Sequence, residues 1–202
     1  MSENIIKENP EKIFRKHGGI LRMKDALAHG ITRYMIYALR DKGIIEQVSR
    51  GIYRLSALPP LSNPDLAIIG LRFPGAVICL ISALSFHGIT TQIPNVVSIA
   101  IRKNSRIPFL DYPPIRVHKF SDLAYNAGIQ NYYMDNVPLK IYDPEKTIVD
   151  CFKFRNKIGM DVFLEALKCY RQRMKYDPVK LLDYGKICRI EKKMQPYLEA
   201  LQ

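Results

Sequence analysis

The chain has 202 residues, 48% of them hydrophobic and 25% charged, which suits one large domain or two small ones and argues against disorder. Its net charge of +12 favours polyanionic partners such as DNA, RNA or a membrane surface, but the charge is spread along the chain and locates no site. The longest apolar stretch, Ala76 to Ile89, is cut by Ser82, Ser85, His87 and Gly88, and the opening MSENIIKENP lacks the apolar centre of a signal peptide, so a cytoplasmic protein without a membrane span is expected.

Three helices and a hairpin are predicted first. Helix one covers Pro10 to Lys16, opened by a first-turn proline and stopped by Gly18-Gly19. Ile20-Leu21 is a short extended link. Helix two covers Met23 to Ala28 and ends at His29-Gly30. Helix three begins with Thr32 as N-cap and ends near Lys42-Gly43. Ile44 to Val48 and Ile52 to Leu55 read as strands around the turn Ser49-Arg50-Gly51. Ser56-Ala57-Leu58-Pro59-Pro60 reads as a linker, because two prolines remove backbone donors. The expected domains are therefore residues 1–58 and 59–202.

Beyond the linker the pattern is mixed. Pro64 to Arg72 is a helix capped by Asn63, and Ser82 to His87 a short helix ended by Gly88. Val96 to Ile101 and Ile115 to Phe120 are strands, and Ser121 caps a helical turn toward Asn126. Ile129 to Met134 and Val137 to Ile141 form a hairpin across Asp135-Asn136. Asp143-Pro144-Glu145 supplies cap, first-turn proline and first-turn acid to a helix reaching about Arg155. Asp161 to Leu201 is mostly helical, restarted at Asp177-Pro178 and kinked or interrupted at Pro196. The expected fold class is α+β: an N-terminal winged helix-turn-helix, then a mixed α+β domain ending in helices.

Helix three carries the chemistry. At about 100° per residue, Arg33, Tyr37 and Arg40 share one face with Tyr34 beside it, while Met35, Leu39 and Ala38 lie opposite. A recognition helix needs this division: an apolar back, and a front of donors that reach base edges and phosphates. Any amphipathic helix with a solvated charged face shows the same split, so the order of parts decides. A second helix, a tight turn at Gly30, the Arg/Tyr helix and a basic hairpin follow one another as in a winged helix. Arg50 sits at the hairpin tip; Arg54 on the second strand is either a contact or solvated. The expected DNA-binding set is Thr32, Arg33, Tyr34, Tyr37, Arg40, Arg50 and Arg54.

The run Gly43 to Leu55 (GIIEQVSRGIYRL), following Gly30-Ile31-Thr32, resembles the N-terminal domain of the AbiEi-type antitoxins. The segments Ser82 to Thr90 (SALSFHGIT) and Tyr142 to Asp150 (YDPEKTIVD) resemble that family's C-terminal domain, so the likeness runs from about Lys12 to Lys175. The resemblance implies a transcriptional regulator, the antitoxin of a type IV toxin–antitoxin pair. It implies binding to double-stranded DNA at repeats in its own promoter, repression there, and opposition to a nucleotidyltransferase-like toxin without a tight complex. Solo regulators of this kind also occur.

Other residues suggest enzymes. Ser85 and His87 suggest a hydrolase, but no G-x-S-x-G elbow is present, and residues two apart on a helix do not face each other. His87 reads better as a cation at a helix C-terminus. Asp143, Glu145 and Asp150 suggest a metal-dependent nuclease, yet Asp143 serves as a cap, Glu145 as a dipole partner, and Asp150 as a semi-buried partner of Lys146. Cys79, Cys151, Cys169 and Cys188 show no C-x-x-C pair, and His17, His29, His87 and His118 are scattered, so free thiols and no zinc site are expected. The basic helices Lys168 to Lys180 and Lys186 to Lys193 read as solvated faces. Their apolar set, Ile187, Ile190, Met194, Tyr197, Leu198 and Leu201, reads as core. No catalytic residue, metal or cofactor is assigned. Two readings stay open beside the antitoxin: a solo regulator whose C-terminal domain senses a ligand or protein, and a nuclease guided by the winged helix.

Overall fold

The computed structural model describes residues 9–200. The opening segment read for a signal peptide, apart from Asn9 and Pro10, and Leu201 lie outside the described residues. The chain forms two compact units: Met1–Pro74 with Tyr133–Leu139, and Gly75–Tyr132 with Lys140–Gln202. The proline linker at 56–60 thus falls inside the first unit.

In the first unit, α1 (Pro10–Lys16), α2 (Met23–Ala28) and α3 (Arg33–Asp41) stand where the sequence puts them. Asn9 caps α1 by accepting from Glu11 N, and Thr32 caps α3 by accepting from Met35 N at 3.3 Å. Gly30, at φ +84°, supplies the left-handed residue of the turn between α2 and α3. The link after α1 is a strand, β1 (Ile20–Arg22), which pairs antiparallel with β3 (Ile52–Leu55). β2 (Ile45–Ser49) pairs on the other side of β3, giving the order β1-β3-β2. The wing turns at Arg50-Gly51, with Gly51 at φ +74° and a bulge between Gln47 and Ser49.

Ile13, Phe14, Leu21, Ala26, Ile31, Ile36, Ile45, Tyr53 and Leu55 form the core of this unit. On α3 the fully buried residue is Ile36; Met35 and Leu39, expected as the packed back, are only partly buried around it. α4 (Pro64–Arg72), capped by Asn63 Oδ1 on Leu66 N, also belongs here. Its C-terminal end is fastened to the winged helix. Arg22 donates to Leu71 O at 2.9 Å, and Arg72 donates to Arg50 O at 3.2 Å.

The second unit is built on β4 (Val77–Ile78), β5 (Val97–Arg102), β6 (Ile115–Phe120), β7 (Ile129–Met134) and β8 (Val137–Tyr142). They form a sheet of order β6-β5-β4-β8-β7; the hairpin tip Tyr133–Leu139 counts with the first unit. β5 runs parallel to β6 and antiparallel to β4, which runs parallel to β8. α5 (Leu80–Phe86), α6 (Asp122–Asn126), α7 (Pro144–Lys153), α8 (Arg155–Ile158), α9 (Met160–Arg173), α10 (Pro178–Cys188) and α11 (Glu191–Glu199) complete the unit. Ser121 precedes α6 as expected, but its side chain makes no capping bond. Pro196 lies within α11 and does not end it. Of the apolar set at the C-terminal end, Met194 and Leu198 are buried, whereas Ile187 and Tyr197 are exposed. The cysteines are free; Cys79, Cys151 and Cys188 are buried and Cys169 partly so. Among the described residues no helix is long and apolar enough to cross a membrane.

His118 on β6 is buried, and its Nε2 has no hydrogen-bond partner. Burial first, then the neighbouring Arg116 and Lys157 charges, lower its pKa from 6.5 to about 4. Above pH 6.5 both folded and unfolded forms are neutral. Between 6.5 and 4 the unfolded chain takes up a proton that the folded chain refuses, so stability falls as pH falls. The expected result is a melting temperature that drops across this window, with a shallower drop in His118→Phe. An unchanged pH profile in that variant would assign the acid sensitivity elsewhere.

Candidate nucleic-acid interface

The exposed face of α3 and the wing enclose one groove, lined by Met23, Arg33, Tyr37, Arg40, Gln47, Arg50, Gly51 and Tyr53. Four of the seven residues expected to contact DNA, Arg33, Tyr37, Arg40 and Arg50, are therefore brought together. α3 presents its cations to solvent because Ile36, with Met35 and Leu39 partly buried beside it, anchors the helix in the core. The wing supplies Arg50 because Gly51 permits the tight turn.

The side chains of Arg33, Arg50 and Gln47 have no hydrogen bond or ion pair among the described residues. Arg40 donates through Nε and Nη2 to Asp41 Oδ1, at 3.0 and 2.9 Å, and lies over the Tyr37 ring at 5.1 Å. Asp41 raises the Arg40 pKa through that bond and its charge. The pair is solvent-exposed and screened, so it restrains Arg40 only weakly. Tyr34 is 81% exposed on the same helix without lining the groove. Thr32 uses its hydroxyl oxygen as the helix cap; it is exposed at the N-terminal end of α3, where backbone N–H groups favour a phosphate.

Arg54 departs from expectation. It lies on the central strand β3, opposite Glu46 in register, and only 8% of its side chain is exposed. Nη1 donates to Glu46 Oε1 at 2.7 Å, while Nη2 donates to Leu58 O at 3.0 Å and to Pro59 O. This guanidinium holds the wing strand and the proline linker together; it is neither a surface contact nor solvated. Met23, Gln47, Tyr53 and Arg72 enter instead, the first three as groove lining and Arg72 as the side chain that holds the wing tip. Gln47 was legible as a polar residue on a wing strand; Tyr53 and Arg72 needed the register and the path of α4.

Of the residues that suggested catalysis, His87, Asp143, Glu145 and Asp150 each make structural hydrogen bonds. His87 Nε2 donates to Tyr142 O at 2.7 Å rather than to Ser85, and burial lowers its pKa. It is therefore a neutral ring at the end of α5, not the expected cation. Asp143 caps α7 on Lys146 N and accepts from Tyr184 Oη at 2.6 Å. Glu145 accepts from Tyr170 Oη at 2.6 Å and from Lys180 Nζ at 2.8 Å. Burial raises and these bonds lower the Glu145 pKa, and the bonds prevail. Asp150 is fully buried against Lys146 Nζ at 2.5 Å, deeper than the semi-buried position expected. Among the described residues no group of three or more His, Cys, Asp and Glu side chains is placed to hold a metal ion.

Three helices, a three-stranded sheet and a wing beside the third helix define a winged helix-turn-helix at the head of a mixed α+β chain. Residues 10–56 match the model of a family described as "Transcriptional regulator, AbiEi antitoxin", in agreement with the resemblance read from the sequence over that segment. No curated protein matches the chain. Its fold is similar to that of the RV2827C protein from Mycobacterium tuberculosis, known from a crystal structure. The TM-score is 0.56 at 16% identity, over 88% of this chain and 69% of that one.

Proposed function

We propose that the first unit binds double-stranded DNA through the groove between α3 and the wing, and that the chain is a transcriptional regulator acting on its own promoter. The observation that carries this reading is the convergence of Arg33, Arg40 and Arg50 on one groove, with Arg33 and Arg50 unpaired. Unpaired guanidiniums supply bidentate donors to guanine or charge to phosphate. The match of residues 10–56 to a family of antitoxin regulators supports the same reading. The finer role is that of a cytoplasmic antitoxin, binding promoter repeats as a repressor and opposing a nucleotidyltransferase-like toxin without a tight complex.

Equilibrium binding to a duplex from the chain's own upstream region, compared with an unrelated duplex, tests the first part. With about three phosphates neutralised in this groove, the groove contributes a slope of about −2.7 to log K against log salt per bound copy. An affinity indifferent to salt would sink the reading. The antitoxin role predicts that a neighbouring gene encodes a nucleotidyltransferase-like protein whose toxicity this chain relieves on co-expression. If no such neighbour exists, the antitoxin role falls and the regulator stands.

A further inference from the structure

Most of the chain's positive charge lies outside the winged helix. The second unit has 19 Lys and Arg against 11 Asp and Glu, a net +8; the first has 12 against 8, a net +4. Part of the excess is neutralised locally: Lys146 meets Asp150, Lys180 meets Asp143 and Glu145, Arg102 meets Asp122, and Lys186 meets Asp183. Arg116 and Lys157 make no ion pair among the described residues; Lys153 makes none either, although its charge acts on the buried Asp150, which is already paired with Lys146.

These three cations surround one aromatic ledge. The rings of His118 and Phe154 lie 5.2 Å apart, and those of Phe154 and Phe120 lie 5.6 Å apart. Lys153 Nζ stands 5.9 Å from the Phe120 centroid, and Lys157 Nζ stands 5.9 Å from that of Phe154. Arg116 lies two residues before His118 on β6, hence on the same side of the strand. The segments that carry them, 112–121 and 151–160, contain no Asp or Glu at all. Lys153 and Lys157 fall in the last turns of α7 and α8, where a cation complements the helix dipole. That does not explain Arg116, which lies on a strand. Like charges held together repel, and an anion placed among them relieves the repulsion. The ledge itself is covered, with Phe120 2% and His118 6% exposed, so it offers no open ring on which an unpaired base stacks. What the surface offers is point charge, which suits a phosphate backbone.

We propose that Arg116, Lys153 and Lys157 form a second phosphate-binding face, which takes the backbone of double-stranded DNA without reading its sequence. The choice of duplex DNA among polyanions rests on the function proposed for the first unit; the face itself does not.

The test uses the full chain carrying Arg33→Ala, Arg40→Ala and Arg50→Ala, so that all three cations of the first groove are removed. Binding to a random-sequence duplex of about 30 base pairs is measured between about 50 and 200 mM salt. Residual binding is expected, with a log–log slope of about −2.7 for three phosphates. Adding Arg116→Gln, Lys153→Gln and Lys157→Gln is expected to bring that slope near zero and to weaken binding at least ~10-fold at the low-salt end. Thermal unfolding confirms that the variant folds. If it does not, Arg116→Gln alone, on an exposed strand position, serves with an expected slope change of ~0.9. Arg116→Lys is expected to retain binding. Absence of residual binding, or an unchanged slope in the neutralised variant, overturns the proposal. So does tighter binding of single-stranded RNA or polyglutamate than of duplex at these residues. Wild-type operator binding by Arg33→Ala/Arg40→Ala/Arg50→Ala would instead defeat the first-unit reading and leave this face to its own result.

Discussion

Asp150→Ala is expected to destabilise the protein by about 3–5 kcal/mol, the cost of leaving one member of a buried ion pair alone. Lys146 and Asp150 lie one turn apart on α7, both with 0% side-chain exposure and with Nζ and Oδ2 at 2.5 Å. Asp150 Oδ1 also accepts from Cys188 Sγ at 3.6 Å. Burial raises the Asp150 pKa, and the Lys146 charge only partly offsets this. Once the carboxylate is removed, the ammonium keeps only the faces of Tyr142 and Phe120, at 4.3 and 4.9 Å. Those rings solvate a cation far less well than water or a carboxylate does. For a chain of this size about 1 kcal/mol moves the melting temperature by about 2–4 °C, so the single variant should melt about 6–20 °C lower. Lys146→Met with Asp150→Leu replaces both charges by apolar groups of similar length and is expected to recover most of the loss, because the pair's desolvation cost disappears with it. A single variant as stable as the double would mean that water or another group reaches the lysine, and the argument from isolation would fail.

The winged helix was legible because its boundaries rest on local chemistry. A proline in the first turn, Thr32 as cap, and glycines at the two left-handed turns need no distant partner to act. Arg54 was not legible. The same residue on a wing strand points to solvent or to Glu46 according to register, and its other acceptors lie on a linker whose path the sequence does not state. The central strand β4 was missed for a related reason. Val77-Ile78 is two residues inside a long apolar run, and periodicity cannot separate a buried strand from a buried helix there. The caps around Asp143 were legible. Its bond to Tyr184 and the bond of Glu145 to Tyr170 were not, since they join residues 41 and 25 positions apart. Local signals placed most of the groove's cations; tertiary pairing decided which cation was spent elsewhere.

That division leads to the sharpest contrast expected among the arginines of the first unit. Arg33→Ala and Arg50→Ala remove unpaired cations from the groove, so each should weaken duplex binding roughly tenfold while leaving the fold intact. If Arg33 reads a guanine, its loss relaxes preference at one base position by about 1–3 kcal/mol. If it meets phosphate, the loss is uniform over sequences and the salt slope falls by ~0.9, the outcome expected for Arg50 at the wing tip. Arg54→Ala should do the opposite. It strips Glu46 and the carbonyls of Leu58 and Pro59 of their donor, so the melting temperature falls while the salt slope of the folded protein stays unchanged. Binding must therefore be measured below the variant's own transition. A lowered slope with an unchanged melting temperature in Arg54→Ala would return Arg54 to the DNA-contacting set and remove its role in fastening the linker.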